Sequence, residues 1–278
     1  MSSGRHIRLA RLFHRDSCRS IIVPMDHGAT LGPMVGLADL RAATQRMMVE
    51  PGLVQGLVLH RGALRHLDSL PTRNLPPRIL HVSGGTVLDP SGPTKSQVAQ
   101  VEDALQMGAD AVSVHVNLGV DGESAMLRDF GAVASACERW GMPLLAMMYV
   151  RPKGVNSTRV ADVRLAARVA AEMGADIVKV SHPGSAEAMR EVVDGCFVPV
   201  LVAGGDLSGT AADVLAAART AIDGGSAGLC IGRNAFQAPS PSERLRELAE
   251  VVHGHQHAAN KLSAPTSAPP VHDVATVD

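Results

Sequence analysis

Short, almost wholly apolar runs alternate along the chain with longer segments in which alanine and leucine recur at helical spacing. Apolar runs of this length without polar alternation are typical of strands in a parallel sheet that is covered on both faces. Eight such runs predict strands over 20–25, 56–60, 79–82, 111–116, 143–149, 175–180, 198–203 and 227–231.

A helical pattern follows each predicted strand. These patterns predict helices over 37–49, 62–68, 94–107, 123–140, 159–173, 185–194, 210–223 and 240–253. Glycines just after three of them, beginning at Gly108, Gly174 and Gly224, suit the left-handed residue that commonly ends a helix. Eight strand–helix units predict the α/β class and a (β/α)8 TIM barrel with a parallel eight-stranded core. An open doubly wound sheet is the alternative, although no GxGxxG follows the first strand.

Composition sets the domain limits and excludes several partners. We expect one barrel domain over 1–253 and a disordered tail over 254–278, which is rich in Pro, Ser and Ala and lacks periodicity. A net charge of −1 with scattered basic residues disfavours nucleic acid and anionic membranes as partners. Four cysteines without CxxC spacing, no secretory signal and no apolar run of membrane-spanning length predict a cytoplasmic protein with reduced thiols.

Lys179 is the main candidate for catalysis. Only four lysines stand in the chain against 22 arginines, and this one ends the apolar run of the sixth predicted strand. Lysine, unlike arginine, can lose its proton and form a Schiff base with a carbonyl. For attack at neutral pH its pKa would have to be depressed by burial or by neighbouring cations. The alternative is a lysine whose amine reaches water from a strand end.

Polar residues follow nearly every other predicted strand, at the end where barrels place their active sites. Tyr149, the only tyrosine, is a candidate proton donor or acceptor. Asp26 follows the first apolar run, where a carboxylate is costly to bury unless it pairs with a cation such as Lys179. The alternatives are a tyrosine buried for packing and an aspartate that serves a turn.

The loops after the seventh and eighth predicted strands contain Gly204, Gly205, Gly232 and Arg233. Barrels frequently bind phosphate there through main-chain N–H groups, so these residues predict a phosphate site. Ser181 adds a hydroxyl donor, although ordinary turn glycines would give the same pattern.

Four histidines at strand ends, His27, His60, His115 and His182, raise the alternative of a metal site. They lack the local spacing of a helix-borne zinc motif. We therefore expect no metal and treat these histidines as hydrogen-bonding groups and proton carriers.

An amine, a phenol, a carboxylate and a phosphate pocket together predict a class I aldolase that acts on a phosphorylated ketone, with a covalent lysine and no cofactor. Two functions of other classes remain open. One is a metal-dependent barrel enzyme that uses the strand-end histidines, and the other is a barrel that binds a sugar phosphate without turnover.

Several motifs resemble those of the archaeal-type class I aldolase family (DeoC/FbaB-like). They are Val23-Pro-Met-Asp-His-Gly28, Met148-Tyr149, Asp176-Ile-Val-Lys-Val180, Pro199-Val-Leu-Val-Ala-Gly-Gly205 and Gly228-Leu-Cys-Ile-Gly-Arg-Asn234, and the resemblance covers about residues 5–253. It implies Lys179 as the Schiff-base lysine, Tyr149 as acid and base, and Asp26 as the partner carboxylate. It also implies phosphate contacts at Gly204, Gly205, Gly232 and Arg233, and a ring-shaped homo-oligomer, often a decamer.

Within that family, residues 25–33 and 60–61 look most like the 2-amino-3,7-dideoxy-D-threo-hept-6-ulosonate synthase branch and its actinomycete relatives in secondary metabolism. The branch implies addition of a ketose-phosphate donor such as dihydroxyacetone phosphate to L-aspartate 4-semialdehyde, in aromatic or secondary-metabolite biosynthesis. We expect His27 to contact substrate, and Arg151 or Arg61 to hold the carboxylate of that aldehyde. Asp206 departs from a phosphate-binding pattern. Fructose-bisphosphate aldolase and a phospho-ketone thiolase remain alternatives.

Overall fold

The computed structural model describes residues 2–48, 50–70, 75–205 and 209–254. The strands in this part of the chain are β1 Ser20–Pro24, β2 Gly56–Leu59, β3 Arg78–His81, β4 Ser83–Gly84, β5 Ser96–Gln97, β6 Ala111–Leu118, β7 Leu144–Val150, β8 Ile177–Val180, β9 Val200–Ala203 and β10 Gly228–Cys230. Eight of these described strands form a closed parallel barrel in the order β1-β2-β3-β6-β7-β8-β9-β10, and β10 pairs again with β1. β4 and β5 form a separate antiparallel hairpin.

The helices of the described chain surround the barrel and cover its ends. They are α1 Ser3–Arg11, α2 Gly28–Leu31, α3 Leu40–Met47, α4 Arg61–Leu67, α5 Val101–Gln106, α6 Glu123–Trp140, α7 Val160–Glu172, α8 Ala186–Asp194, α9 Ala211–Asp223, α10 Arg233–Phe236 and α11 Pro241–His253. Among the described residues, no helix is both long and apolar enough to span a membrane.

The predicted barrel is confirmed, and all eight predicted strands and eight predicted helices have counterparts in the structure. The largest error in bounds concerns the helix predicted over 94–107, which begins only at Val101. Residues 96–97 pair instead with β4, and the side chain of Asp103 accepts a hydrogen bond from the main-chain N–H of Gln100, which caps the shorter helix. Residues 255–278, almost all of the predicted tail, lie outside the described part of the chain.

Helix α1 was not predicted, and ion pairs with two aspartates hold it against the barrel. Arg5 is buried and donates two hydrogen bonds to Asp176, both of 2.8 Å, while Arg11 pairs with Asp110 at 2.6 Å. Both aspartates directly precede barrel strands, and Asp176 also accepts the main-chain N–H of Leu144. These bidentate and charge-assisted contacts bind α1 to the N-terminal ends of the strands, which leaves the opposite end free for a site.

The interior of the barrel is aliphatic, as the scarcity of aromatic residues requires. Side chains of alternate strand residues meet inside it, and Leu12 reaches this cluster from the segment after α1; the buried members are Leu12, Ile22, Val58, Ile79, Ala111, Leu145, Met147, Ile177, Leu201 and Cys230. The other face of each strand packs against the helices in a larger core. This aliphatic packing fills the middle of the barrel, so an active site has room at the ends of the strands.

The barrel closes where β10 meets β1, and Gly228 lies opposite Ser20 at this seam. Gly228 has a φ of +133°, which side chains rarely tolerate, and a Cβ there would overlap the carbonyl oxygen of Ser20. Closure of the sheet therefore requires glycine at position 228.

We predict that Gly228→Ala lowers the free energy of unfolding by about 3 kcal/mol or more, because it combines a disfavoured backbone conformation with a steric overlap. The measurement is urea denaturation followed by far-ultraviolet circular dichroism. Gly131→Ala is the matched control, since position 131 lies in α6 with open space around a Cβ, and we expect it to raise the free energy by about 0.5–1 kcal/mol. Equal stability of the two variants would contradict this account of the seam.

Candidate active site

A cavity of about 440 Å³ lies at the C-terminal ends of the barrel strands. Ten site residues predicted from the sequence line it: Asp26, His27, Tyr149, Arg151, Lys179, Ser181, Gly204, Gly205, Gly232 and Arg233. They come from loops and strand ends that are separated by up to about two hundred residues of sequence. Closure of the sheet brings them to one place.

Lys179 owes its direction to the pleat of β8. Alternate residues of a strand point to opposite faces, so Ile177 and Lys179 face the barrel interior while Val178 and Val180 pack against the helices. The side chain is buried, with 7% of it exposed, and its Nζ lies 6.0 Å from the centroid of the Tyr149 ring. The amine therefore ends inside the cavity, and it does not extend to open water.

The pKa of Lys179 is raised above its ordinary value. Burial lowers the pKa, but the facing Cys230, Tyr149 and Asp26 raise it by more than burial takes away. Burial also raises the pKa of the Cys230 thiol to about 11, so at neutral pH this thiol is uncharged and Asp26 is the anion that stabilises the ammonium. The prediction of a depressed lysine pKa is therefore wrong, because it considered burial without the acidic groups that face the amine.

Asp26 lies between two imidazoles. Its Oδ1 is 3.7 Å from His27 Nδ1, and its Oδ2 is 3.6 Å from His81 Nε2. Burial raises the pKa of Asp26, but His81, His27 and Lys179 together lower it below its usual range. Because burial lowers the pKa of His81 to about 4, Lys179 is the charged partner of this carboxylate at neutral pH.

Tyr149 is the centre of a group of polar residues on β6 and β7. The ring of His115 lies 5.1 Å from that of Tyr149, and the Arg151 guanidinium carbon lies 5.2 Å from the ring centroid. Arg151 is held by a 2.8 Å hydrogen bond from its Nε to Oδ1 of Asn117. The phenol thus has a fixed position. Positively charged groups lie near the face of its ring, where the ring attracts them electrostatically.

The glycine loops after β9 and β10 contact each other directly. A Cβ at Gly204 would lie 2.5 Å from Cγ1 of Ile231, and one at Gly232 would lie 2.7 Å from Cε1 of His27. The side-chain amide of Asn234 donates a 2.7 Å hydrogen bond to the carbonyl oxygen of Gly204. Gly204 is therefore needed for close packing of the two loops, and Gly232 for close packing against His27, whatever ligand their N–H groups bind.

Two other predicted polar residues of the cavity, Arg233 and Ser181, make hydrogen bonds there. Arg233 donates from Nη2 to the carbonyl oxygen of Gly205 at 3.4 Å, and Ser181 accepts a 2.9 Å hydrogen bond from Asn156. Asp206, the residue that departs from a phosphate-binding pattern, lies outside the described residues.

Lys95 is a cavity residue that the sequence did not identify. Its Nζ donates hydrogen bonds of 2.9 Å to Oγ1 of Thr30 and to the carbonyl oxygen of Gly85, and burial lowers its pKa. The sequence offered one signal for it, which is that the chain has only four lysines. It was missed because its segment was assigned to a helix, whereas it precedes the short strand β5. Asn156, Asn234 and Cys230 also line the cavity without having been predicted.

The strand-end histidines do not form the predicted alternative group of four. His27, His115 and His182 line the main cavity, while His60 lies in a second pocket of about 470 Å³ and packs against His81 with ring centroids 5.1 Å apart. Arg61 also belongs to this second pocket and pairs with Asp103 at 3.3 Å, so the structure does not place it in the cavity of Lys179.

Comparisons with known proteins identify the family of this chain. The sequence pattern of the DeoC/LacD family of aldolases matches residues 20–238. A 2-amino-4,5-dihydroxy-6-oxo-7-(phosphonooxy)heptanoate synthase of Streptomyces griseus is 44% identical over 252 residues, or 90% of each chain. A 2-amino-3,7-dideoxy-D-threo-hept-6-ulosonate synthase of Halobacterium salinarum is 35% identical over 90% of this chain and 92% of its own.

Among solved structures, an archaeal fructose-1,6-bisphosphate aldolase has the same fold, with a TM-score of 0.80 and 29% identity over 89% of this chain and 99% of its own. That aldolase was captured with its catalytic lysine covalently bound to the carbinolamine intermediate of the substrate.

We predict that Asp26→Asn lowers the pKa of Lys179, because the variant removes one of the acidic groups that oppose the effect of burial on the amine. The measurement is the rate of acetylation of Lys179 by acetic anhydride as a function of pH, followed by peptide mass spectrometry. The midpoint should move to lower pH in this variant and stay in place in Asp121→Asn, which removes the same charge from an exposed turn. An unmoved midpoint in Asp26→Asn would show that the carboxylate does not hold the proton.

Proposed function

This chain belongs to the DeoC/LacD family of aldolases, and we propose that it joins a phosphorylated three-carbon ketone to L-aspartate 4-semialdehyde through a Schiff base on Lys179. The observation that carries the proposal is the buried amine of Lys179, which faces the Asp26 carboxylate and Tyr149 inside one cavity. The two synthases that are 44% and 35% identical to this chain, and the structural neighbour with a covalent lysine, support the same chemistry.

The substrates follow from the product for which the Streptomyces griseus synthase is named. Breaking the bond between C4 and C5 of 2-amino-4,5-dihydroxy-6-oxo-7-(phosphonooxy)heptanoate leaves a four-carbon amino-acid aldehyde and a three-carbon ketone phosphate. These fragments are L-aspartate 4-semialdehyde and dihydroxyacetone phosphate. Formation of that bond is an aldol addition, which is the chemistry that an amine at this position supports.

The first step is proton loss from Lys179. This step is uphill at neutral pH because the pKa of the amine is raised, and the ionised Asp26 is the base that faces it. The free lone pair then forms a C–N bond to the ketone carbon, and the resulting carbinolamine loses its hydroxyl as water. The product is an iminium that accepts electrons from the neighbouring carbon.

Two proton transfers complete the reaction. Loss of a proton from the hydroxymethyl carbon of the iminium gives an enamine, and that carbon attacks the aldehyde to form the new C–C bond. The aldehyde oxygen takes up a proton, and water then hydrolyses the iminium and regenerates Lys179. We assign Tyr149 to both proton transfers because its phenol faces the amine that carries the substrate.

Both ends of the substrates need fixed positions, since reaction between two bound molecules depends on orientation. We assign the phosphate to the main-chain N–H groups of Gly204, Gly205 and Gly232 and to Arg233, with Ser181 nearby. His27 packs against Gly232 and would contact the same ligand. Arg151, which lies over the ring of Tyr149, suits the carboxylate of the aldehyde because a guanidinium binds carboxylates through two parallel hydrogen bonds.

Two other enzymatic functions are alternatives. A fructose-bisphosphate aldolase would use glyceraldehyde 3-phosphate as acceptor, and a phospho-ketone thiolase would transfer an acyl group. The proposal includes no cofactor beyond the covalent lysine. It also includes a cytoplasmic homo-oligomer, with ring assembly to be tested by light scattering of the purified chain.

We predict that sodium borohydride together with dihydroxyacetone phosphate traps a secondary amine on Lys179, measured by peptide mass spectrometry. Lys95 is an internal control, because its amine lines the same cavity but is engaged by Thr30 and Gly85. Lys179→Met should abolish the adduct and the activity. An adduct on Lys95, or none at all, would refute the assignment.

We predict that, among a panel of aldehydes, L-aspartate 4-semialdehyde gives the fastest consumption of dihydroxyacetone phosphate and a seven-carbon amino acid product by mass spectrometry. Preference for glyceraldehyde 3-phosphate would instead identify a fructose-bisphosphate aldolase.

Tyr149→Phe should lower the turnover number by about 10²–10⁴-fold, the usual effect of losing a proton-transfer group, while the borohydride adduct still forms.

A further inference from the structure

Three potential metal ligands come together beside the main cavity. One potential ligand atom from each of Asp26, His60 and His81 lies within 4.8 Å of the other two. Among the described residues, these three side chains are the one cluster of this kind. Asp26 follows β1, His60 follows β2 and His81 ends β3, so three adjacent strands of the barrel each supply one ligand. Two imidazoles and one carboxylate are a common ligand set for zinc and related transition metals.

The orientation of His81 suits a metal ligand. Its Nδ1 is 2.8 Å from Oγ of Ser113, which leaves Nε2 directed at Asp26, 3.6 Å from Oδ2. Histidines that bind metals are commonly oriented by a hydrogen bond to their second nitrogen. Ligands at the usual zinc distances in a tetrahedral site lie about 3.3 Å apart, so this pair needs little movement.

The protonation states also suit a cation. Burial lowers the pKa of His60 and of His81, so both imidazoles are neutral near pH 7, and Asp26 is ionised. Metal ions bind these forms of the side chains. In addition, Oδ1 of Asp26 is buried and has no hydrogen-bond partner, so one oxygen of the carboxylate is available to a ligand.

The second pocket provides access and room for further ligands. It has a volume of about 470 Å³ and is lined by His60 and His81 together with Arg61 and the glycines Gly84 and Gly85. Asp26 lines the main cavity instead, so a cation bound to all three ligands would lie between the two spaces. Water molecules in this pocket would complete the coordination of an ion that takes only three ligands from the protein.

We propose that Asp26, His60 and His81 bind a divalent transition-metal ion of the zinc class, and that this ion inhibits the aldol reaction. The second part rests on the proposed function, in which Asp26 takes the proton of Lys179. A bound dication would withdraw the carboxylate from that role and would repel the ammonium of Lys179. The ion is thus an inhibitor that competes with the lysine for one carboxylate, and catalysis does not require it.

The binding test uses the full chain after dialysis against EDTA. Zn²⁺ affinity is measured by titration calorimetry, and Co²⁺ is added as a spectroscopic probe whose visible absorption reports nitrogen and oxygen ligation. We expect His60→Gln and His81→Gln each to weaken Zn²⁺ binding by at least about 10-fold, since even residues that only orient ligands have effects of this size. His60 is only partly buried, so His60→Gln keeps the test valid if His81→Gln does not fold.

His14→Gln is the matched control, because His14 stacks on His253 with ring centroids 4.5 Å apart and so forms another imidazole pair. It should leave the affinity of the cluster and its Co²⁺ spectrum unchanged. Zn²⁺ binding that is unaffected by His60→Gln and His81→Gln, or lost in His14→Gln, would overturn the proposed site.

The inhibition test adds Zn²⁺ to the aldol assay of the wild-type chain. We expect at least about a 10-fold loss of rate at saturating Zn²⁺, full recovery with EDTA, and the same loss in His14→Gln. Full activity with the site occupied would overturn the inhibitory role and leave the binding site intact. If the chain binds Zn²⁺ at the cluster but forms no borohydride adduct, the metal site stands and the proposed function fails.

Discussion

Closure of the parallel sheet is the constraint on which the site depends. β10 returns to β1 only because Gly228 accepts a backbone conformation and an approach to Ser20 that a side chain would prevent. Once the sheet closes, Asp26 at the end of the first strand and Arg233 after the last lie around the same cavity as Lys179. The arginines of α1 bind the opposite end of the barrel, so the polar residues of the site lie together at the C-terminal ends of the strands.

Within that cavity one carboxylate serves several partners. Asp26 stabilises the ammonium of Lys179, and it also lies within 4 Å of His27 and His81. In a buried site such interactions are stronger than in water, so whichever partner holds the carboxylate affects the others. The same arrangement that supports proton transfer in the proposed aldol reaction creates the proposed site for an inhibitory cation.

Much of the site could be predicted because its residues occur at strand ends, and a parallel barrel places all C-terminal strand ends together. Lys95 escaped prediction because its segment was assigned to a helix, whereas it reaches the cavity from the hairpin of β4 and β5. Helix α1 escaped because its arginines are satisfied by Asp110 and Asp176, which are distant in sequence. The direction of the pKa shift of Lys179 required knowledge of which acidic groups face it.

The sequence by itself determined the fold class, the family and the set of chemical groups, since apolar periodicity and local motifs are properties of neighbouring residues. The tertiary structure decided which side chains lie next to the carboxylate of Asp26. It placed Arg61 beside Asp103 rather than in the main cavity, and it joined His60 and His81 to Asp26 instead of to the other strand-end histidines. These outcomes depend on side-chain direction and on the register of β1, β2 and β3, which are set only when the barrel closes.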